Sequence, residues 1–284
     1  MRGLLLLVLF SLLVLAAMSR SAPYLLRSGR LQLRAFANAS SAPELLVGVH
    51  PIQGIYDSLK QIPRQQLQSS VNNPSDCKFV GAALILCDRV TLDDLAISKS
   101  ILAKIEKDRL CRCLNVCSDS DFEINVFVLP KGKSLPLHDH PGMTVISKVL
   151  TGNLHLRSFS KCDEPASRSA KRAKTSSAYV ERQRQCVLPG LACIKTAADP
   201  AWFLSPSTDN VHELEAQTTC VVFDILMPPY RPPERDCHFY ALGVAETVED
   251  GKEMRELIPS VEPDDADSVY RLQYDGVRPK KRTT

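Results

Sequence analysis

From Phe122 onward the chain is cut into short β-branched or apolar runs, and this pattern constrains its fold more than any other feature of the sequence. Residues 123–129, 144–150, 153–159, 187–195 and 219–226 are such runs, separated by Gly, Pro, Asn and Asp. Residues 238–242 and 270–274 are weaker strand candidates. Short strands with frequent turn signals are the pattern of a sandwich or a small barrel. Gly152-Asn153, between two of the runs, predicts a hairpin turn. Helical signals are confined to the first half. Residues 55–68 predict one short helix, broken by Pro63. Thr91-x-x-Asp94 resembles a capping box, and Leu92, Leu95, Ile97, Ile101, Leu102 and Ile105 predict a helix from there to about Lys107.

A chain of 284 residues holds one core plus extensions or two small domains. No GxxxxGK[ST] loop and no GxGxxG is present, so nucleotide-loop and dinucleotide folds have no support. The net charge of +3 is too small to argue for nucleic acid, and none is expected as a partner. The charge is unevenly placed. Residues 1–43 carry five Arg and no acid, and their apolar run 4–17 is too short to span a bilayer core of ~30 Å comfortably. A basic start, this run and small residues afterwards read as a signal peptide, followed by transit-like Ser, Ala and Arg. That front end suggests a secretory or organellar route, with no stable membrane span in the mature chain. Residues 44–120 then form a helical N-terminal part, 121–278 the core, and 279–284 a basic tail. Residues 165–184, rich in Ser, Ala, Lys and Arg, read as a solvated basic insertion in that core. Among ten cysteines, only 111, 113 and 117 cluster; they suit zinc less well than simple semi-buried thiols, because no CxxC pair accompanies them.

The sharpest chemical feature is Leu137-His138-Asp139-His140-Pro141-Gly142. In an extended backbone His138 and His140 point one way and Asp139 the other. Two imidazoles one strand-step apart can grip one metal ion. A generic double-stranded β-helix (cupin) site places a Glu about four residues after this pair, but here the stretch is Met143-Thr144-Val145-Ile146. A later histidine completes the set in that architecture, and His212 lies after a turn and before the strand near Thr219. Three imidazoles and no carboxylate leave the charge of a divalent ion intact, which suits an anionic thiolate together with dioxygen. Spacing alone does not select iron over zinc. Asp224 stands in an otherwise apolar strand, with Val222 and Leu226 as same-face neighbours. It is either a structural bonding partner or a functional carboxylate.

The segment from Pro130 through His138, His140 and Gly142 to Val145 resembles the signature of the plant cysteine oxidase and cysteamine (2-aminoethanethiol) dioxygenase family. Leu150-Thr-Gly-Asn-Leu-His155, Asp209-Asn210-Val-His212, Val222 through Asp224 to Tyr230, and Arg235-Asp-Cys-His-Phe-Tyr240 are similar to its later motifs. The earlier Ile55-Tyr-Asp-Ser-Leu59 resembles its N-terminal helix. The resemblance runs in order over about residues 53–278. It implies a mainly β, cupin-like double-stranded β-helix barrel with a short N-terminal helical segment. It also implies ferrous iron on His138, His140 and His212, and addition of both atoms of O2 to a thiol, giving a sulfinic acid. The implied substrates are an N-terminal cysteine of a protein or peptide, or a small aminothiol; oxygen sensing is a further implication. Asp224 and Tyr230 map to polar groups of the substrate cavity. Asp224 would receive the substrate ammonium, and Tyr230 would donate to bound dioxygen or thiolate. A monomer is expected. The rival readings are a zinc or manganese cupin and a non-catalytic cupin that binds a thiol or a partner protein. The secretory-looking front is unusual for chemistry that suits a reducing compartment such as the cytosol.

Overall fold

A computed structural model describes residues 49–62, 78–162, 185–247, 253–261 and 269–280. The signal-like segment, the basic insertion and the last residues of the basic tail lie outside the described residues. Three helices come first: α1 (Pro51–Leu59), α2 (Lys78–Cys87) and α3 (Lys99–Asp108). Strands β1 (Arg112–Ser118), β2 (Glu123–Leu129), β3 (Ser134–Asp139), β4 (Thr144–Thr151), β5 (Asn153–Cys162) and β6 (Gln185–Thr196) follow. The series continues with β7 (Trp202–Leu204), β8 (Val211–Ala216), β9 (Cys220–Met227), β10 (Phe239–Thr247), β11 (Glu253–Ser260) and β12 (Tyr270–Leu272). No described helix is long and apolar enough to cross a membrane.

The strands form two sheets. One has the order β12-β1-β2-β9-β4-β7, and the other, β10-β11-β6-β5-β8-β3, closes on itself where Phe239 pairs with His138. The mainly β, double-stranded β-helix architecture expected from the sequence is therefore present. Alternation along the strands sorts the core into layers. Phe223, Ile225, Ile124 and Val126 face the helices, packing with Ile52, Ile55, Leu59, Leu84 and Leu86. The opposite faces of the same strands turn inward, where Val222 and Leu129 meet Leu154, Leu156, Leu214 and Ala216 of the second sheet. A smaller cluster of Leu137, Phe159, Val187, Val211 and Leu257 fills the closed ring.

Several local expectations change. The Thr91–Asp94 box forms, with the Thr91 amide donating to Asp94 at 2.8 Å and the Asp94 amide to Thr91 Oγ1 at 3.3 Å. It caps only a run of turns, because Ala96 takes φ 54° and breaks the helical path. The helix starts later, at Lys99, behind Ser98, whose hydroxyl accepts from the Ile101 amide. The short helix read within 55–68 runs instead from Pro51 to Leu59 and ends ahead of Pro63. β1 is a strand within the part read as helical.

The hairpin expected at Gly152-Asn153 is not one. β4 pairs with β7 and β9, whereas β5 pairs with β6 and β8 in the other sheet. Gly152, at φ 88°, is where the chain steps between sheets. A Cβ there would lie 2.3 Å from the Thr219 carbonyl oxygen and 2.7 Å from Cys220 Sγ. Positive φ and close approach both demand glycine. Gly152→Ala is expected to destabilise the protein by roughly 1–3 kcal/mol, read as a lower urea midpoint with an unchanged slope.

Candidate metal centre

The three histidines predicted as ligands converge. His138 and His140 lie on and just beyond the end of β3, and His212 is the second residue of β8. β3 and β8 are antiparallel, with His138 directly opposite His212. A register shift between Leu135 and His138 sets the phase. Leu135 faces the inter-sheet core while Leu137 faces the closed ring, so the strand reverses its faces between them. Pro136 sits at that irregularity, where its missing amide costs no ladder bond. His138 and His140 then point to the inter-sheet core, alongside Leu214 of β8.

All three imidazoles are buried. His140 Nε2 and His212 Nε2 are 3.1 Å apart, and His212 Nε2 and His138 Nε2 are 3.2 Å apart. The outer nitrogens fix the protonation of two rings. His138 Nδ1 lies 2.7 Å from the Pro136 carbonyl, which can only accept, so Nδ1 carries the proton. The Tyr230 hydroxyl donates to the Asp139 carbonyl at 2.7 Å, and its oxygen lies 2.8 Å from His140 Nδ1. That oxygen therefore accepts the His140 Nδ1 proton. Neutral His138 and His140 thus turn bare Nε2 lone pairs toward His212.

A proton on His212 Nε2 can serve only one of its two neighbours. A cation at the centre serves all three. Nitrogens in cis positions on a metal at ~2.1 Å lie ~3.0 Å apart, close to the two separations found. Burial, together with the neighbouring imidazoles, drives His140 and His212 well below the ordinary imidazole value, and burial also lowers His138. The site is built to stay neutral and to receive a metal. The three are the described His, Cys, Asp and Glu residues grouped with metal-ligand spacing. Cys111, Cys113 and Cys117 are not brought together in such a group among the described residues.

Asn210, whose role the sequence did not reveal, holds this geometry. Its Oδ1 accepts from the His140 amide at 3.2 Å, and its Nδ2 donates to the His140 carbonyl at 2.8 Å and the Ser205 carbonyl at 3.1 Å. It thereby binds the His140 peptide as a neighbouring strand would. The preceding Asp209, at φ 56°, is bonded by Ser158 Oγ at 2.7 Å and donates its amide to Ser160 Oγ at 2.9 Å.

Asp139 points away from the imidazoles, as the alternation predicted, into the closed ring. Its Oδ1 accepts from the His238 amide at 3.1 Å and lies 3.1 Å from His238 Nδ1. Its Oδ2 accepts from Lys161 Nζ at 2.7 Å and Tyr240 Oη at 2.9 Å. Burial works to raise this carboxyl, but Lys161, the His238 amide and Tyr240 overcome it and hold it below the ordinary carboxylate value. His238 is placed here, on the reverse side of the metal-binding strand.

Asp224 is the opposite case. It lies on β9 between Val222 and Leu226, which face the inter-sheet core, so its carboxyl faces the same interior as His212. Asn125 and Ser147 flank it across the two ladders. Its Oδ1 is buried with no hydrogen-bond partner among the described residues. Burial pushes the carboxyl up to about 7, and the neighbouring Ser147 hydroxyl works against that rise.

Tyr230 lies beside His140. Its ring stacks on His140 with centroids 5.4 Å apart, and its proton goes to the Asp139 carbonyl. It bonds to Nδ1 of His140, the nitrogen that faces away from the Nε2 cluster, and so supports the orientation of that ring.

Fold and site together define a cupin-like β protein built around a three-histidine metal-binding group. The chain belongs to the PCO_ADO family, which it matches over residues 85–276. It is 34% identical to human 2-aminoethanethiol dioxygenase over 136 residues, 45% of this chain and 50% of the human one. It is 27% identical to Arabidopsis thaliana plant cysteine oxidase 2 over 195 residues, 67% of this chain and 66% of the plant one. The chain thus spans about half the length of the human relative it matches. A cupin superfamily protein from Desulfitobacterium hafniense superposes at a TM-score of 0.28 and 8% identity, covering 42% of this chain and 78% of that one.

Removing the side-chain amide of Asn210 leaves the His140 peptide without its partner. Asn210→Ala is expected to weaken divalent metal binding about 10–100-fold, measured by competition with a chelator of known affinity. For Asp224 the sign follows from its raised native value. Between the unfolded carboxylate value of ~3.9 and about 7, the metal-free native state holds a proton that the unfolded chain has released. Native stability therefore falls as pH rises through that window. Asp224→Asn lacks this loss, so its stability relative to the parent is expected to rise from pH 4 to pH 7 and then level. Urea midpoints of the two metal-free proteins across that range check this, and parallel pH profiles would contradict it.

Proposed function

We propose that this chain is an iron(II) thiol dioxygenase that converts a thiol beside a primary amine to a sulfinic acid. The substrate class is an N-terminal cysteine of a peptide or protein, or a small aminothiol such as cysteamine. The observation that carries this reading is the convergence of three neutral imidazoles, with no carboxylate among them, in an interior that Asp224 also faces. His138, His140 and His212 would hold the ion. Bound there, ferrous iron supplies the redox chemistry that joins both atoms of O2 to the thiol sulfur. The family relationship, with relatives named 2-aminoethanethiol dioxygenase and plant cysteine oxidase, supports the same reading.

The residues divide the work. The neutral donor set leaves the ion's full positive charge to meet a thiolate. Asp224, unpartnered at Oδ1, would take the ammonium directly or through water. An ammonium beside it favours the ionised carboxylate, so substrate binding would reverse the effect of burial. Asn210 and Tyr230 keep His140 in place, and the apolar residues Met143, Val145, Leu204 and Leu226 limit water around the interior.

The test uses the full chain, purified without air and loaded with ferrous iron. A peptide beginning with Cys, cysteamine and free cysteine are offered in turn while oxygen uptake is followed. Mass spectrometry is expected to find a product heavier by two oxygen atoms, drawn from 18O2 when that gas is supplied. His212→Ala is expected to reduce turnover to background. An iron-loaded protein that consumes no oxygen with any of these thiols would sink the proposal.

A further inference from the structure

Beyond the metal centre, the register of β5 and β6 brings two cysteines together. Cys162, the last residue of β5, lies directly opposite Cys186, the second residue of β6. Directly opposite residues of an antiparallel pair have Cα atoms ~4.5 Å or ~5.5 Å apart, according to ladder position. Both spacings fall within the ~4.4–6.8 Å that disulfides bridge. The two side chains share one face, because opposite residues project to the same side. Both are thiols in the structure. A third sulfur, Met254 Sδ on β11, lies 3.7 Å from Cys162 Sγ. Met254 brings a soft, polarisable thioether to the pair, and Glu256 of β11 stands directly opposite Cys186.

No other two cysteines stand directly opposite one another in the described strand ladders. Burial holds the Cys87 thiol well above its usual range, pushes Cys113 up to about 12 and Cys220 up to about 11, and raises Cys193. Thiols held protonated in this way react slowly. Cys193 is opposite Leu156, well along the strand from Cys162.

The position matters as much as the pairing. β5 and β8 are antiparallel, with Ser158 opposite His212 and Phe159 opposite Val211. β5 then continues to Cys162, so the pair lies at the end of the barrel where the histidines are. Residues 163–185, which include the Lys- and Arg-rich stretch, join the two cysteines in sequence.

We propose that Cys162 and Cys186 form an oxidisable dithiol that closes to a disulfide, tying the two ends of this basic segment together at the metal-site end of the barrel. The oxidant is a small-molecule disulfide such as oxidised glutathione. The thiolate of one cysteine attacks it, forming a mixed disulfide and releasing one small thiol. The thiolate of the other cysteine then displaces the second small thiol and makes the protein S–S bond. Two protons and two electrons leave the protein with the two released thiols. This proposal does not depend on the dioxygenase reading, and it needs no metal.

The full chain is incubated with oxidised glutathione, the remaining thiols are alkylated, and the protein is digested with trypsin without reduction. The expected product joins peptide 162–168 to peptide 185–195, lacks two hydrogens relative to their sum, and disappears on reduction. Because 185–195 also contains Cys193, three variants assign the bond. The linked product is expected to persist in Cys193→Ser and to be lost in Cys162→Ser and Cys186→Ser. Cys162→Ala, on the less buried side of the pair, repeats the loss should Cys186→Ser fail to fold. The proposal is overturned if peptide 162–168 is recovered mainly alkylated or glutathionylated, or if the linked product survives in Cys186→Ser.

Discussion

The antiparallel register between β3 and β8 is the constraint on which the site depends. It sets His138 opposite His212, although 74 positions separate them in the chain. A slip of one residue on β3 would turn both of its histidines toward the closed ring and replace them with Asp139. Three features oppose that slip. The irregularity at Pro136 sets the strand's phase, and the Pro136 carbonyl fixes the His138 ring. Asn210 binds the His140 peptide from the start of β8. Asp139 is engaged on its reverse face by β5 and by the segment entering β10. The metal-binding edge is thus held from the side, from beneath and from behind.

Two buried carboxylates show how to separate support from chemistry. A buried carboxylate without partners costs several kcal/mol, and one fully bonded to a cation and donors does not. Asp139 has both oxygens engaged and is held below its ordinary value, so its burial is offset by the bonds that join three strands. Asp224 has an unpartnered oxygen and is raised to about 7. Within the same barrel, one carboxylate stabilises the native state and the other strains it. The strained group is the one that shares its interior with the imidazoles; under the proposed function a substrate amine would supply the missing partner.

The strands were legible where β-branched and apolar residues carried the pattern. The run 123–129 coincides with β2, and 144–150 and 153–159 fall within β4 and β5. β8 is interrupted by Glu213 and Glu215 and β11 by Glu253, Arg255 and Glu256, and neither gave such a signal. α2 is apolar almost throughout, so it lacks the amphipathic contrast that marks a helix. At Gly152 the dipeptide pointed to a turn, and the turn exists, but whether a chain doubles back or crosses to the facing sheet depends on strands far away in sequence. The H-x-H alternation correctly assigned opposite faces to the histidines and Asp139. What Asn210 and Tyr230 bond to was not readable, because each acts on a peptide or ring some 70–90 positions distant.

Tyr230 shows why that distance matters for the chemistry. As a cavity residue it would act on substrate, but here its hydroxyl joins His140 Nδ1 to the Asp139 carbonyl. The Asp139 amide in turn donates to the His238 carbonyl at 3.1 Å, and its carboxylate receives the His238 amide. A single residue between two of the histidines therefore links the segment after β9, the start of β10 and the ring of His140. Such a connection fixes the Nδ1 proton on His140 and keeps Nε2 bare. A ligand that loses this support can rotate or change tautomer, and the centre then turns an N–H where it needs a lone pair. Asp139, which faces the closed ring and away from the imidazoles, thereby helps decide whether those imidazoles can bind a metal.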